Sequence, residues 1–260
     1  IPVWYGFDLT SEGVIDDAAP VSDVVPELAA SAFGDATVRE VMDMTTGLAF
    51  SEDYADPEAD VWRHAAAGST LPRPPGATGP EGYYEYLATV RPEGVHGEAF
   101  GYRTPNSDAL GWIVARASGR SVAELLETRI WSRLGAERDA YFTVDATGAP
   151  FAGGGFSATL RDLGRLGLML LEGGVALDGT RLAPEAAVAS IRGGGDRAAF
   201  AAAGYDLLEG WSYRGMWWIA HDANGAFAAR GVHGQTLWID PAAEMVVVRL
   251  ASHPVAGNAA

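Results

Sequence analysis

The sequence predicts an α+β fold, with helices through its first two thirds and an antiparallel sheet at its end. Three observations predict it. Apolar residues recur at helical spacing in two central stretches, Leu110, Ile113, Val114 and Ala117, then Leu160, Leu163, Leu166 and Leu170, each marking one helix face. The last quarter changes to strand-like runs at Met216 to His221, Ala228 to Ile239 and Met245 to Leu250, rich in β-branched and aromatic residues. The links between these runs, Asp222-Ala223-Asn224-Gly225 and Asp240-Pro241-Ala242-Ala243, are short enough to imply an antiparallel meander. Such a sheet needs other elements to cover both its faces.

From the beginning of the chain, residues 16 to 51 read as loop and short helix. Thr45-Thr46-Gly47-Leu48 follows the apolar positions Val38, Val41 and Met42, and Gly47 suits the end of a helix. The Pro/Gly-rich run from Gly68 to Gly82 is short and flanked by aromatics, so it reads as a surface loop bordering a pocket. A helix follows from Pro105, with Thr104 as its cap, proline in its first turn and Gly119 beyond its end. Ser121 caps the next helix, which is expected to run through Leu134. Another spans Thr159 to Leu171 and ends at Gly173-Gly174. Two regions result: 1–150, mostly helix and loop, and 151–260, helix and antiparallel sheet.

Composition narrows the function. With 260 residues, 48% of them hydrophobic, and eight tryptophans, the chain can bury a large core in one domain or two interleaved ones. No stretch approaches the roughly 18 apolar residues of a membrane span, so no membrane partner is expected. A formal charge of -16, with arginines scattered rather than striped, opposes a phosphate backbone and makes nucleic acid an unexpected ligand. The absence of cysteine removes disulfides and thiolate chemistry. All 18 basic residues are arginine, so the chain contains no Ser-x-x-Lys pair. Its opening, Ile1 to Phe7, is apolar and carries no cap signal, as expected of a chain cut within an element.

Three segments carry candidate chemistry. In Phe100-Gly101-Tyr102-Arg103-Thr104-Pro105-Asn106, a tyrosine directly precedes a helix amino end, where the dipole favours an anion. A phenol there could act as a base, but with an ordinary pKa near 10 it would need a neighbouring cation or several donors. The same text fits a half-buried tyrosine packed beside the helix cap. Gly231-Val232-His233-Gly234-Gln235-Thr236 lies within the middle predicted strand, where two glycines leave a ligand room to approach the edge. Taken in isolation, the same text fits better a histidine that simply faces solvent or a neighbouring strand. Ala152-Gly153-Gly154-Gly155-Phe156-Ser157 lacks a phosphate-loop lysine and reads as a tight connection before a helix.

Taken in order, these segments resemble those of the class C β-lactamase, D-alanyl-D-alanine carboxypeptidase and esterase family. Val41 to Leu48 is similar to its Leu-Leu-x-His-x-Ser-Gly-Leu turn, Tyr102 to Asn106 to its second catalytic motif, Ala152 to Arg165 to its Ala-Gly-Gly-x-x-Ser-Thr-x-x-Asp-Leu-x-Arg segment, and His233-Gly234-Gln235 to its Lys-Thr-Gly strand. Within that group the similarity is to the branch that hydrolyses 6-aminohexanoate dimers. It extends to Ser51-Glu52-Asp53-Tyr54-Ala55-Asp56-Pro57, Met216-Trp217-Trp218 and Gly231 to Pro241.

The resemblance implies a β-lactamase/transpeptidase-like fold, an antiparallel sheet flanked by helices plus a helical domain. It also implies an acyl-enzyme mechanism on a small ester or amide substrate; the five histidines show no metal-ligand spacing, and no cofactor is expected. Tyr102 would take and return the proton, and the Val232 amide would be one of two oxyanion donors. Tyr54 and Trp218 would close over the substrate, while Asn106, His233, Gly234 and Gln235 would order the polar contacts. Ala65 stands where an acidic residue could grip a substrate amine, which points to esters over amino-acid oligomers. A homodimer is compatible with this reading, and a cytoplasmic location is slightly favoured. The family's nucleophile and lysine would fall just upstream of Ile1; its first strands and closing helix are also unmatched. The chain alone is therefore expected to lack acyl-transfer activity. The competing expectation is a ligand-binding homologue that has lost its nucleophile. A Ser157–His233 pair is a weak substitute, having no Gly-x-Ser-x-Gly elbow and no acidic partner.

Overall fold

The computed structural model describes residues 9–69, 75–254 and 256. Short helices α1 (Val21–Val24) and α2 (Val38–Met42) lead to α3 (Asp60–Ala67), α4 (Tyr83–Leu87), α5 (Thr104–Ser118) and α6 (Val122–Arg129). A small hairpin of β1 (Tyr141–Phe142) and β2 (Phe156–Ser157) precedes α7 (Leu160–Leu171), α8 (Glu185–Gly193) and α9 (Arg197–Ala202). The chain then forms an antiparallel meander of β3 (Ser212–Arg214), β4 (Trp217–Ile219), β5 (Phe227–Arg230), β6 (Thr236–Asp240) and β7 (Met245–Arg249), paired in that order. This is the predicted α+β architecture. Among the described residues, no helix is long and apolar enough to cross a membrane.

Two long helices organise the interior. Helix α5 buries Leu110, Ile113 and Val114 completely and ends where Gly119 takes a left-handed φ of 69°. Helix α7 starts at a Thr159 cap and buries Leu163, Leu166, Met169 and Leu170 against β6 and β7. Its approach depends on Gly167, where a Cβ would lie 2.5 Å from Val246 Cγ1. The register puts Ile219, Phe227, Ile239 and Val246 on the face that α7 covers. Trp218, Ala228, Trp238 and Val247 share the opposite face.

Several local expectations are corrected. The run Ala228 to Ile239 is two strands, because Val232–Gly234 forms a 3-10 turn with His233 at φ 58° and Gly234 at φ 86°; the strand-like residues on either side concealed the reversal. Strand β3 went unread because its link to β4 is Gly215-Met216, both at positive φ, a hairpin geometry that Asn-Gly announces and Gly-Met does not. That turn is fixed from outside: the Asp43 carboxylate accepts from Gly215 N–H at 2.9 Å and from Arg214 at 2.8 Å, and Met216 N–H donates to Met42 O.

Gly47 does not end helix α2. Met44 adopts the positive φ of 53°, while Gly47 is required because a Cβ would sit 2.7 Å from Glu93 O. Ser121 does cap α6, in a capping box with Glu124, but the helix stops at Arg129, where Ile130 leaves helical geometry at φ -123°, and a 3-10 turn follows. Part of the Gly68 to Gly82 loop, residues 70–74, lies outside the described residues.

Candidate active site

The elements converge on a cavity of about 580 Å³. Tyr102 stands in the extended segment leading into α5, held by Phe100 N–H to Ala199 O at 2.9 Å and by Gly101 N–H to Met44 O at 2.8 Å. Thr104 does not cap this helix; the N-cap is Arg103, and it offers no side-chain bond. A carboxylate from 52 residues upstream does that work instead. Glu52 Oε2 accepts Thr104 N–H at 2.8 Å, and Oε1 accepts the Thr104 hydroxyl at 2.5 Å and the Tyr54 hydroxyl at 3.1 Å. Its negative charge also lies at the positive end of the helix dipole.

Burial raises the Glu52 pKa, and the three hydrogen bonds pull it back. Burial also raises the phenol of Tyr102 far above its ordinary range, and Glu52 adds to the rise. Tyr54 is pushed up by burial and by the same carboxylate. Both phenols are thus held neutral, and Tyr54 donates to Glu52. Tyr102 stacks on Trp218 with ring centroids 5.8 Å apart and planes 20° apart, and Trp218 is wedged edge-on against Phe100 and Tyr213. Tyr54 meets Trp62 edge-on at 5.8 Å.

Of the residues singled out in the sequence, Tyr102, Tyr54, Trp218, Val232 and Gln235 line this one cavity. Val232 does so from the turn between β5 and β6 rather than from a strand edge. As the first residue of a 3-10 turn, its N–H has no carbonyl within the turn to meet. Asn106, His233 and Gly234 are not among the lining residues. Asn106 is fully buried one turn into α5, where its Oδ1 accepts the Thr46 hydroxyl at 2.6 Å and its Nδ2 finds no acceptor among the described residues. His233 points to the chain's last segment, with Nδ1 2.8 Å from His253 O. Ser157 lines the cavity and His233 does not, so the alternative Ser157–His233 pair is not assembled.

The sequence reading missed a second support. His64, 2% exposed, sets Nε2 2.8 Å from Asp108 Oδ2, and the other oxygen of Asp108 accepts Gly153 N–H at 3.0 Å. A carboxylate only accepts, so Nε2 carries the proton. The pair ties α3, α5 and the glycine-rich turn into one wall, with Phe151, Tyr83 and Tyr86 packed around the imidazole. A serine–histidine contact does exist elsewhere: Ser212 Oγ lies 2.7 Å from His221 Nε2. Ser212 is buried and accepts Gly195 N–H at 3.0 Å, so the pair fastens the 194–195 turn.

The family model described as Beta-lactamase matches residues 7–259. The chain belongs to the beta-lactamase family. Over 248 residues it is 43% identical to the 6-aminohexanoate-dimer hydrolase of Paenarthrobacter ureafaciens, covering 95% of this chain and 62% of that enzyme. It superposes with a TM-score of 0.86 on a Bacillus anthracis structure assigned as a 6-aminohexanoate-dimer hydrolase, at 32% identity over 98% of this chain and 66% of that one. It also shares its fold with EstCE1, a hydrolase with promiscuous acyltransferase activity, at TM-score 0.72 and 18% identity, covering 96% of this chain and 76% of that one. The chain thus spans just under two thirds of the length of the two dimer-hydrolase relatives.

Proposed function

We propose that this beta-lactamase-family chain forms the substrate-recognising part of a serine hydrolase for small linear esters or amides. The observation that carries this reading is the cavity in which Tyr102, Tyr54 and Trp218 face the Val232 turn. In the proposed reaction, a serine hydroxyl adds to the substrate carbonyl, the Val232 N–H donates to the developing oxyanion, and the Tyr102 hydroxyl relays the proton to the leaving group. Water then hydrolyses the acyl ester by the reverse sequence.

Acylation by this route needs a Ser-x-x-Lys pair, and none lies within these 260 residues. A cation would also be needed to lower the Tyr102 pKa, which burial and Glu52 hold high. The chain alone is therefore a binding module: it takes up the ester and does not cleave it. Two measurements test this. Incubation with p-nitrophenyl butyrate should release no nitrophenol above buffer, whereas the non-chromogenic butyrate ester should perturb the fluorescence of Trp218. Turnover blocked by a serine-directed phosphonate would refute the first statement. A ligand effect unchanged in Trp218→Phe would refute the second.

A further inference from the structure

One ring of the cavity wall is held partly from outside the core. Trp218 of β4 lines the cavity and stacks on Tyr102, and its indole is met edge-on by Phe100, Phe200 and Tyr213 at centroid distances of 5.4, 5.9 and 5.3 Å. Those edge-on rings are buried. Tyr205 meets the same indole at 5.8 Å and 76°, and lies 5.5 Å from Phe100 and 5.6 Å from Phe200. Yet it is 37% exposed and stands on the loop between α9 and β3. That loop runs from Gly204 to Gly210, at φ 71° and 81°, with a 3-10 turn over Asp206–Leu208 and Leu207 77% exposed. Its turns close on themselves, Leu208 N–H to Tyr205 O at 2.8 Å and Trp211 N–H to Leu208 O at 3.1 Å, and Arg197 Nε ties its far end through Gly210 O at 3.0 Å. Tyr205 therefore joins a surface loop to the ring that stacks on Tyr102.

We propose that Tyr205 is a positioning residue, which sets the tilt of Trp218 and through it the place of the Tyr102 ring. The inference rests on the hydrolase-site reading above and adds to it a residue that is not among those lining the cavity. Aromatic pairs prefer edge-to-face or offset geometry, so each neighbour of the indole restricts its tilt. Phe100, Phe200 and Tyr213 do so as part of the core they belong to. A contact made from a loop is different, because loops open locally at a lower free energy than the core. The wall that a substrate meets is then only as rigid as the grip of this loop. Glycine at both ends suits such a device, since positive φ disfavours a side chain. At Gly204 a Cβ would meet nothing within 4 Å, so conformation, not crowding, calls for glycine there.

The test uses the full chain and ethyl butyrate, with binding read by calorimetry. Tyr205→Leu keeps an apolar side chain and removes the ring; it should bind the ester about fivefold more weakly than wild type, as loss of one edge-to-face pair predicts. Tyr205→Phe restores the ring and should bind within about twofold of wild type. Near-UV circular dichroism should move in parallel, losing aromatic ellipticity in the leucine variant and regaining it in the phenylalanine one. Because Tyr205 acts through Trp218, the two positions should be coupled: in a Trp218→Phe background, Tyr205→Leu should weaken binding by less than about twofold more. Leu207→Ala, on the exposed side of the same loop, should bind as wild type does. Binding by Tyr205→Leu equal to wild type, an undiminished loss in the Trp218→Phe background, or the same loss in Leu207→Ala overturns the positioning role and leaves the cavity reading standing. A phenylalanine variant as weak as the leucine one assigns the effect to the hydroxyl and also overturns it. So does a Tyr205→Leu chain that no longer unfolds cooperatively in urea, which would make the ring a core residue. Failure of the wild-type chain to bind ethyl butyrate overturns the cavity reading and this inference together.

Discussion

Glu52 offers the sharpest test of how the site is held, because two substitutions at one position separate its hydrogen bonds from its charge. Glu52→Ala strips the Thr104 N–H, the Thr104 hydroxyl and the Tyr54 hydroxyl of their acceptor. Loss of a helix-end acceptor costs about 0.5–2 kcal/mol, and a buried donor left without a partner costs about 1–3 kcal/mol. The hydroxyls can turn toward water, so the sum is about 2–4 kcal/mol. For a chain of this size that lowers Tm by roughly 5–15 °C. Glu52→Gln should behave differently. Its amide oxygen can still accept Thr104 N–H, and its NH₂ can donate to the two hydroxyls with their roles reversed.

The charge adds a pH signature. Burial raises the folded-state pKa of Glu52 above the value of the unfolded chain. The folded state therefore holds this proton over a range where the unfolded state has released it. The resulting stability is fully present below the ordinary glutamate pKa and is lost as pH rises through the raised one. Urea denaturation of the wild-type chain between pH 4 and 8 should show this decline, and Glu52→Gln should remove it. The reasoning is refuted if Glu52→Ala unfolds within about 0.5 kcal/mol of wild type, or if Glu52→Gln is as damaging as alanine.

Two further outcomes follow from the buried pairs. Asp108→Ala leaves the His64 Nε2–H and the Gly153 N–H without acceptors in the interior and should cost about 3–5 kcal/mol, read as a lower urea midpoint with an unchanged slope; a loss below about 1 kcal/mol would contradict the pairing. Burial, and then Arg197, lower the His221 pKa from its ordinary value near 6.5, so its contribution is present above that pH and lost as pH falls toward the folded pKa. His221→Asn should flatten thermal stability across that acidic range, and an unaltered pH profile would show that the Ser212 contact is not coupled to the imidazole's charge state.

Much of the fold was legible because it is periodic. Helices α5 and α7 announce themselves by apolar residues three and four apart, and most of the meander by runs rich in β-branched and aromatic residues between turn segments. The motif order marked the family, and of the residues it singled out Tyr54, Tyr102, Trp218, Val232 and Gln235 line one cavity although nothing periodic connects them. The turns were less legible where ordinary residues take rare conformations: Met44, Met216 and His233 adopt positive φ, and surrounding contacts, rather than their own preferences, keep them there.

By itself, then, the sequence determined the helical and strand periods, the α+β class, the family, and the absence of any Ser-x-x-Lys pair. Tertiary structure alone decided that Glu52, not Thr104, closes the amino end of α5, that His64 is paired with Asp108, and that Asn106 and His233 stand outside the cavity lining. These contacts join residues as far as 52 positions apart in the chain. Local propensity has no term for a partner that distant, so burial and hydrogen-bond geometry select it once the core has formed.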